Sequence, residues 1–175
     1  MIYTPREDSF LLEKQVKLYS KDKSVIDIGS GSGIQAKAAK LAGAKSVLAS
    51  DINQEAIKHL KENGIKAIKS DLFENIKGKF DLILFNPPYL PKDKREDKEN
   101  ELTNSGGKRG DEIILRFLKQ AADHLNKNGI ILLLVSSLTP KDKIEPLLVK
   151  LKLKNKVVSS ESFFMETLEV WEIVN

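Results

Sequence analysis

Asn86-Pro87-Pro88-Tyr89 is the stretch of this sequence whose residue types and spacing bear most directly on chemistry. It follows Phe80 to Phe85, a run that is nearly all apolar. The side-chain oxygen of Asn86 can accept one N–H of a flat NH2 group, and the backbone carbonyl of Pro87 can accept the other. Two such acceptors fix the group and stabilise positive charge as it develops on nitrogen. Prolines at 87 and 88 set the backbone angles, so the acceptors are in place before a substrate arrives. The ring of Tyr89 can stack on the flat group and exclude water. An amide nitrogen is a poor nucleophile, because its lone pair is delocalised into the carbonyl. The tetrapeptide suits the task of aiming that lone pair at an electrophilic carbon. No strong general base is needed, since the proton can leave after transfer. A Pro-Pro pair alone reads as a turn that ends a strand. The bracketing Asn and Tyr, and a second motif upstream, favour chemistry.

That second motif is Asp27-Ile28-Gly29-Ser30-Gly31-Ser32-Gly33, which follows a short β-branched run and precedes a helical pattern. Alternate glycines let a backbone turn sharply and approach a ligand, and the next helix points its N-terminus there. Asp51 closes the following strand pattern and can accept from both hydroxyls of a ribose. A dinucleotide fingerprint would also have glycine at 34, where this chain has Ile34. Gly33 and Asp27 suit S-adenosylmethionine better, because that cofactor carries an ammonium, a carboxylate and a sulfonium but no pyrophosphate. Backbone groups around Gly29 and Gly31, with a nearby acid, meet the first two. Asp71-Leu72 fits the adenine, with the carboxylate accepting from the exocyclic amine and a backbone N–H donating to the ring. Taken alone, Asp71 also reads as a turn or cap residue.

The elements that must position these residues alternate along the chain. Helical spacing covers Glu7 to Tyr19, Ile34 to Leu41, Asn53 to about Glu62, Asp111 to about Leu125, and Pro140 to about Leu151. Strand patterns cover Ser24–Ile28, Ser46–Ser50, Ile65–Ile68, Phe80–Phe85, Ile130–Val135, Lys156–Ser159 and Leu168–Val174. The short link through Ser162 to Glu166 makes the last pair antiparallel. The expectation is an α/β domain, residues 1–175, with a parallel core and helices on both faces. Between Pro91 and Arg109 a long, highly charged stretch reads as a functional or mobile loop.

Composition narrows the function. Cysteine is absent and there are two histidines, so no metal centre is expected. His59 and His124 read as surface or cap residues, and Trp171 and Met165 as core or hairpin packing. The acidic N-terminal segment does not read as a signal peptide, and the longest apolar run, Ile130 to Val135, is strand-sized; a cytoplasmic protein is expected. The net charge is +4, and six lysines lie between Lys141 and Lys156 against Asp142 and Glu145. No aromatic residue interleaves with them, so a solvated helix face and a lysine-guarded edge strand are the preferred reading over a nucleic-acid surface.

With these motifs stand Tyr3-Thr4-Pro5-Arg6-Glu7-Asp8-Ser9-Phe10-Leu11-Leu12 and Gly106-Gly107-Lys108-Arg109-Gly110. Together they resemble the release-factor glutamine methyltransferases of the HemK/PrmC type, in the short archaeal and eukaryotic branch. The resemblance implies a Rossmann-like class I methyltransferase with a doubly wound seven-stranded sheet, order 3-2-1-4-5-7-6. It implies cofactor contacts at Ser9, Asp27, Gly29, Gly31, Asp51, Ile52, Asp71, Leu72 and Asn86, and chemistry at Asn86, Pro87, Pro88 and Tyr89. The implied substrate is the glutamine of the Gly-Gly-Gln loop of a class I release factor, methylated at N5. A small zinc-finger activator would bind along the edge strand Ile65 to Ile68. Asn104 departs from the family, which has Trp there. A nucleic-acid amino-methyltransferase would share the Asn-Pro-Pro-aromatic motif but would add a recognition domain or a strongly basic face. A lysine methyltransferase gains less from two acceptors built for a neutral NH2, and a cofactor-binding module without activity would not need Asn86.

Overall fold

The computed structural model describes residues 2–88 and 109–175. Seven strands form one sheet: β1 Ser24–Ile28, β2 Ser46–Asp51, β3 Ala67–Lys69, β4 Phe80–Phe85, β5 Leu125–Ser136, β6 Lys154–Ser162 and β7 Thr167–Val174. Their order is β3-β2-β1-β4-β5-β7-β6. The first five are parallel, and β7 runs antiparallel to both β5 and β6. The expected α/β class, strand order and antiparallel end are all present.

Alternating burial explains the two layers. Val25, Leu82, Leu84, Leu132 and Leu134 share a cluster with Leu12 and Val16 of α1 (Glu7–Tyr19) and Ala38 and Ala39 of α2 (Ile34–Leu41). Their neighbours in the strands, Ile26, Ile83, Phe85, Ile131 and Leu133, share another with Phe117 of α4 (Glu112–Ala121) and Ile144 and Leu148 of α5 (Ile144–Lys150). A period of two thus sends successive side chains to opposite helical layers. α3 (Gln54–Glu62) makes a third cluster with Ile57, Leu60, Ile65 and Ala67. Its start is capped as expected, with the Asn53 side chain accepting from the Glu55 N–H.

Several boundaries differ from the sequence reading, and β6 is longer than expected at both ends, Lys154–Ser162. The third strand starts at Ala67 rather than Ile65, because the Ile65 N–H bonds the Leu60 carbonyl and Gly64 N–H bonds Lys61, closing α3. α4 ends at Ala121 and a 3-10 turn carries on to His124, so Leu125 already pairs with Phe80 in the sheet. Asn128-Gly129 does not stop a helix; Asn128 has φ 62° inside β5, where the register shifts before Ile130 meets Leu82. α5 opens at Ile144, not Pro140, and Pro146 sits in its first turn, where its missing N–H has no intrahelical partner.

At the amino end of the sheet Asp81 ties three strands. It accepts from the Ser24 N–H at 2.9 Å, the Ser24 hydroxyl at 2.7 Å and the Asn126 amide at 2.7 Å. These donors, Ser24 first, hold its carboxyl below the usual range. The lysine-rich segment runs from the turn before α5, through that helix, to the edge strand β6. Lys141 pairs with Glu169 at 2.9 Å and lies over the Trp171 ring, and Lys156 pairs with Glu172 at 2.9 Å. Trp171 is buried as expected, but Met165 packs in neither core nor hairpin: it is 78% exposed on the β6–β7 turn. His124 bonds the Gly78 carbonyl at 2.7 Å and stacks on Phe73, a structural role.

Gly33, which caps α2, has φ 81°, and a Cβ there would lie 2.6 Å from Cδ2 of fully buried Leu60. Gly78 has φ 89° with open space around it. Gly33→Ala is therefore expected to cost roughly 2–4 kcal/mol in denaturant unfolding, and Gly78→Ala only about 1 kcal/mol. Equal losses would mean that the contact with Leu60 is not what constrains position 33.

Candidate active site

Register sets the site. Ile28 is paired with Ser50 on one side and with Phe85 on the other. The next residues, Gly29, Asp51 and Asn86, therefore stand at one level, at the carboxyl ends of three adjacent parallel strands, with Asp51 still paired to Lys69 of β3. Open α/β sheets hold ligands at that end. A cavity of about 1080 Å³ lies there, and Asp27, Gly29, Gly31, Asp51, Asp71 and Asn86 are among the residues lining it. Ser9, Ile52, Leu72, Pro87 and Pro88 line it too, so every described candidate residue comes to one place. Tyr89 lies outside the described residues, as do Asn104 and Gly106-Gly107-Lys108.

The glycine loop is tied to β2 by its own backbone. The Ser30 N–H donates to the Ser50 carbonyl at 2.9 Å, and the Gly31 N–H donates to Asp51 Oδ2 at 2.8 Å. Asp51 Oδ1 accepts from the Asn53 N–H at 2.8 Å. Asp51 thus holds the loop on one side and the start of α3 on the other, with Ile52 half exposed between them. Leu72 has φ 49°, a left-handed conformation uncommon for leucine, and it is buried. The Asp71 carboxylate is paired with Arg116 of α4 at 2.8 Å.

Asn86 is held by a residue whose role the sequence did not reveal. Its Nδ2 donates to Asp8 Oδ2 at 2.9 Å, across 78 residues of chain. Asp8 is buried and also accepts from the Tyr3 hydroxyl at 3.0 and 3.1 Å and from the Ser9 hydroxyl at 3.4 Å. Burial first, and then the Asp8 charge, push the Tyr3 phenol up, so it stays a donor. A carboxylate can only accept, so the Asn86 NH2 must face it and the amide has one orientation. Its Oδ1 is then a buried acceptor with no hydrogen-bond partner among the described residues. Gln35 repeats the pattern: Nε2 donates to the Ser9 carbonyl at 2.8 Å, and Oε1 is buried and unpartnered. Buried acceptors left open in a folded protein call for an explanation, and a ligand bearing N–H groups supplies one. In sequence Asp8 belongs to the N-terminal family motif, but an acid in the first turn of a helix reads as an ordinary dipole preference, so nothing pointed to its role beside Asn86. Nothing marked Gln35 or Arg116 either.

Asp27 is fully buried behind the glycine loop, where its Oδ2 accepts from the Ser30 hydroxyl and from the Ala36 N–H at 3.1 Å. Burial pushes its carboxyl up to about 7; the bonds from Ser30 and Ala36 oppose this, and the Asp51 charge adds to it. Among the described residues no cluster of histidine and acidic side chains could hold a metal ion, and no helix is long and apolar enough to cross a membrane.

The chain is similar to known proteins in sequence and in fold. The family model for the methyltransferase small domain matches residues 8–165. A protein of Methanocaldococcus jannaschii, provisionally named a protein N5-glutamine methyltransferase, is 41% identical over 168 residues, covering 89% of this chain and 85% of its own length. The release factor glutamine methyltransferase of Aquifex aeolicus is 31% identical over 151 residues, covering 75% of this chain. This chain spans only 54% of that bacterial enzyme. Among solved structures, Mtq2 of E. cuniculi, in its complex with Trm112, superposes with a TM-score of 0.76 at 24% identity, covering 99% of this chain and 98% of that one. At that identity the likeness shows the fold.

The Asp27 carboxyl binds its proton more tightly folded than unfolded, where the ordinary value is 3.8. Between about 4 and 7 the folded state carries a proton that the unfolded chain has released, so stability from this group is present at low pH and is lost as pH rises through that window. Asp27→Asn keeps an acceptor for Ser30 and Ala36 without the buried charge. It is expected to be more stable than wild type by about 2–4 kcal/mol at pH 8, with the advantage shrinking toward pH 4. Paired denaturant curves across that range measure it, and a pH-independent difference would rule out the buried charge as its cause.

Proposed function

The chain belongs to the methyltransferase small domain family, and we propose that it moves a methyl group from S-adenosylmethionine to N5 of a glutamine side chain in a class I peptide release factor. The observation that carries this reading is the amide of Asn86. Asp8 orients it, and its one free oxygen is a buried acceptor at the end of β4. The names of the M. jannaschii and Aquifex relatives, which act on glutamine, support the same substrate.

The cavity suits the cofactor in the chemistry of its lining. Near the glycine loop the polar groups are acceptors: Asp27, the Ser9 region and the open Oε1 of Gln35. Such a set fits an ammonium and a sulfonium. Asp51 would take the ribose hydroxyls, and Ile52, Asp71 and Leu72 would border the adenine, with Arg116 holding the Asp71 carboxylate in place. When bound, the cofactor supplies an electrophilic methyl carbon.

The chain's own residues act on the acceptor. Asn86 Oδ1 takes one N–H of the substrate amide and the Pro87 carbonyl takes the other, which turns the nitrogen lone pair toward the cofactor and offsets the charge that builds on it. Pro87 and Pro88 keep the backbone in that geometry. Tyr89 would cover the planar group. Asp8 is a positioning residue: without an acceptor-only neighbour, the Asn86 amide could turn over and present its NH2 to the substrate, repelling the N–H it must accept. We read residues 1–175 as a single catalytic domain working in the cytoplasm. We also propose a small zinc-finger activator as heterodimer partner along β3, the edge strand at the far side of the sheet from β6; the structurally similar Mtq2 is found with Trm112.

Mass spectrometry of the candidate release factor, after incubation with enzyme and cofactor, is expected to place one added methyl on a glutamine. Label on RNA, DNA or a lysine instead would overturn the reading. Asn86→Ala should bind cofactor normally in calorimetry and lose turnover by roughly 10²–10³-fold. Asp8→Asn should lower kcat by about 10²-fold with little change in cofactor affinity or melting temperature. Wild-type turnover in the Asp8 variant would show that the Asn86 amide needs no such guide.

A further inference from the structure

We infer that the β6–β7 turn, residues Phe163, Phe164 and Met165, is the surface on which the protein carrying the acceptor glutamine docks; this rests on the function proposed above. The turn's place follows from topology. β7 runs against the parallel strands, with Leu168 opposite Ser136 and Thr167 opposite Ser162. The turn therefore stands at the carboxyl end of the parallel strands, the end where Asn86 emerges. Phe163, Glu166 and Leu168 line the same cavity as Asn86.

The turn's shape does not account for its composition. Its geometry is set by polar contacts. The Phe163 N–H donates to the Glu166 carbonyl at 2.7 Å and closes the turn. Glu166 accepts from the Ser136 hydroxyl at 2.6 Å, and Thr167 and Ser137 exchange bonds of 2.9 and 2.8 Å. A tight turn of this kind ordinarily carries Gly, Asn, Asp or Ser. Here Phe163, Phe164 and Met165 are 39%, 99% and 78% exposed. Phe164 and Met165 bury little in the fold, and three consecutive large apolar side chains on a pinned turn have the composition of an interface core.

The occupant follows from the continuity of this surface with the cavity and from its charge. A small molecule could fill the cavity without reaching Phe164. A macromolecule that presents one side chain to Asn86 must cross the rim where the turn stands. The nearest charged residues in sequence on either side of the apolar tip are Glu161 and Glu166, which would repel a phosphate backbone but not the apolar face of a protein. Methionine and phenylalanine beside each other suit an adaptable protein contact.

The test is the double variant Phe164→Ser/Met165→Ser in the full chain, with full-length release factor as substrate. Both side chains are exposed, so folding should be unaffected. The expected result is a KM for the factor raised about tenfold or more, with kcat at saturation and cofactor affinity by calorimetry unchanged. A KM equal to wild type would overturn the proposal. So would sedimentation showing a wild-type dimer that the variant dissolves while KM stays put, since the occupant would then be a second copy of the chain. If the wild type labels no release factor at all, the substrate reading falls and this inference with it, a result separable from the failure of the turn alone.

Discussion

The row Ile28, Ser50 and Phe85 is the constraint on which the rest of the site depends. Parallel pairing in that register makes three strands end within one residue of each other. A shift of one residue in any strand would send its apolar side chains to the wrong layer, so the two helical coverings lock the register from both faces. Gly29, Asp51 and Asn86 then emerge side by side without any of them having to be steered. The Gly31 bond to Asp51 and the Ser30 bond to Ser50 are consequences of that row, and they close the loop onto β2. The amino end is pinned separately, by Asp81 and its three donors.

What the sheet cannot supply is the orientation of a side-chain amide. That comes from the first helix, through Asp8. A buried carboxylate that meets an amide NH2 and two hydroxyls is costly to keep, and its cost makes sense as the means of presenting a single oxygen. The segment that carries it also brings Ser9, whose carbonyl orients Gln35 in the same way. Two amides, one just after β4 and one on α2, are thus set by one turn of helix. Asp27 behind the glycine loop follows a different logic: its burial favours the neutral form, while the bonds from Ser30 and Ala36 favour the charged one.

Much of this was legible in the sequence where cause is local. The β-branched run before the glycines, the nearly all-apolar β4 and the Asn53 cap each carry their signal within a few residues, and each stands where it was expected. Boundaries set by distant partners were not legible. Leu125 joins the sheet because Phe80 lies opposite it, against a helical pattern that ran through it. Strand order was implied by family resemblance rather than by periodicity. The candidate residues that came from motifs all line one cavity, apart from Tyr89, which lies outside the described residues. Asp8, Gln35 and Arg116 were missed because their meaning is spatial: each looks like an ordinary helix residue until the residue it touches is known.

The strand order also bears on how the chain is made. The second half of β5, Ile130 to Val135, is wholly apolar, yet its outer neighbour is β7 rather than β6. During synthesis β5 therefore has an unpaired edge until some thirty further residues have been added, and β6, which appears first, has nothing to pair with. The intermediate exposes an apolar strand edge of the kind that recruits other chains. Insertion of β7 between two waiting strands is the step that removes this hazard, and it is the same step that raises the β6–β7 turn to the rim of the cavity. The surface inferred to receive a substrate is thus absent until the sheet is complete.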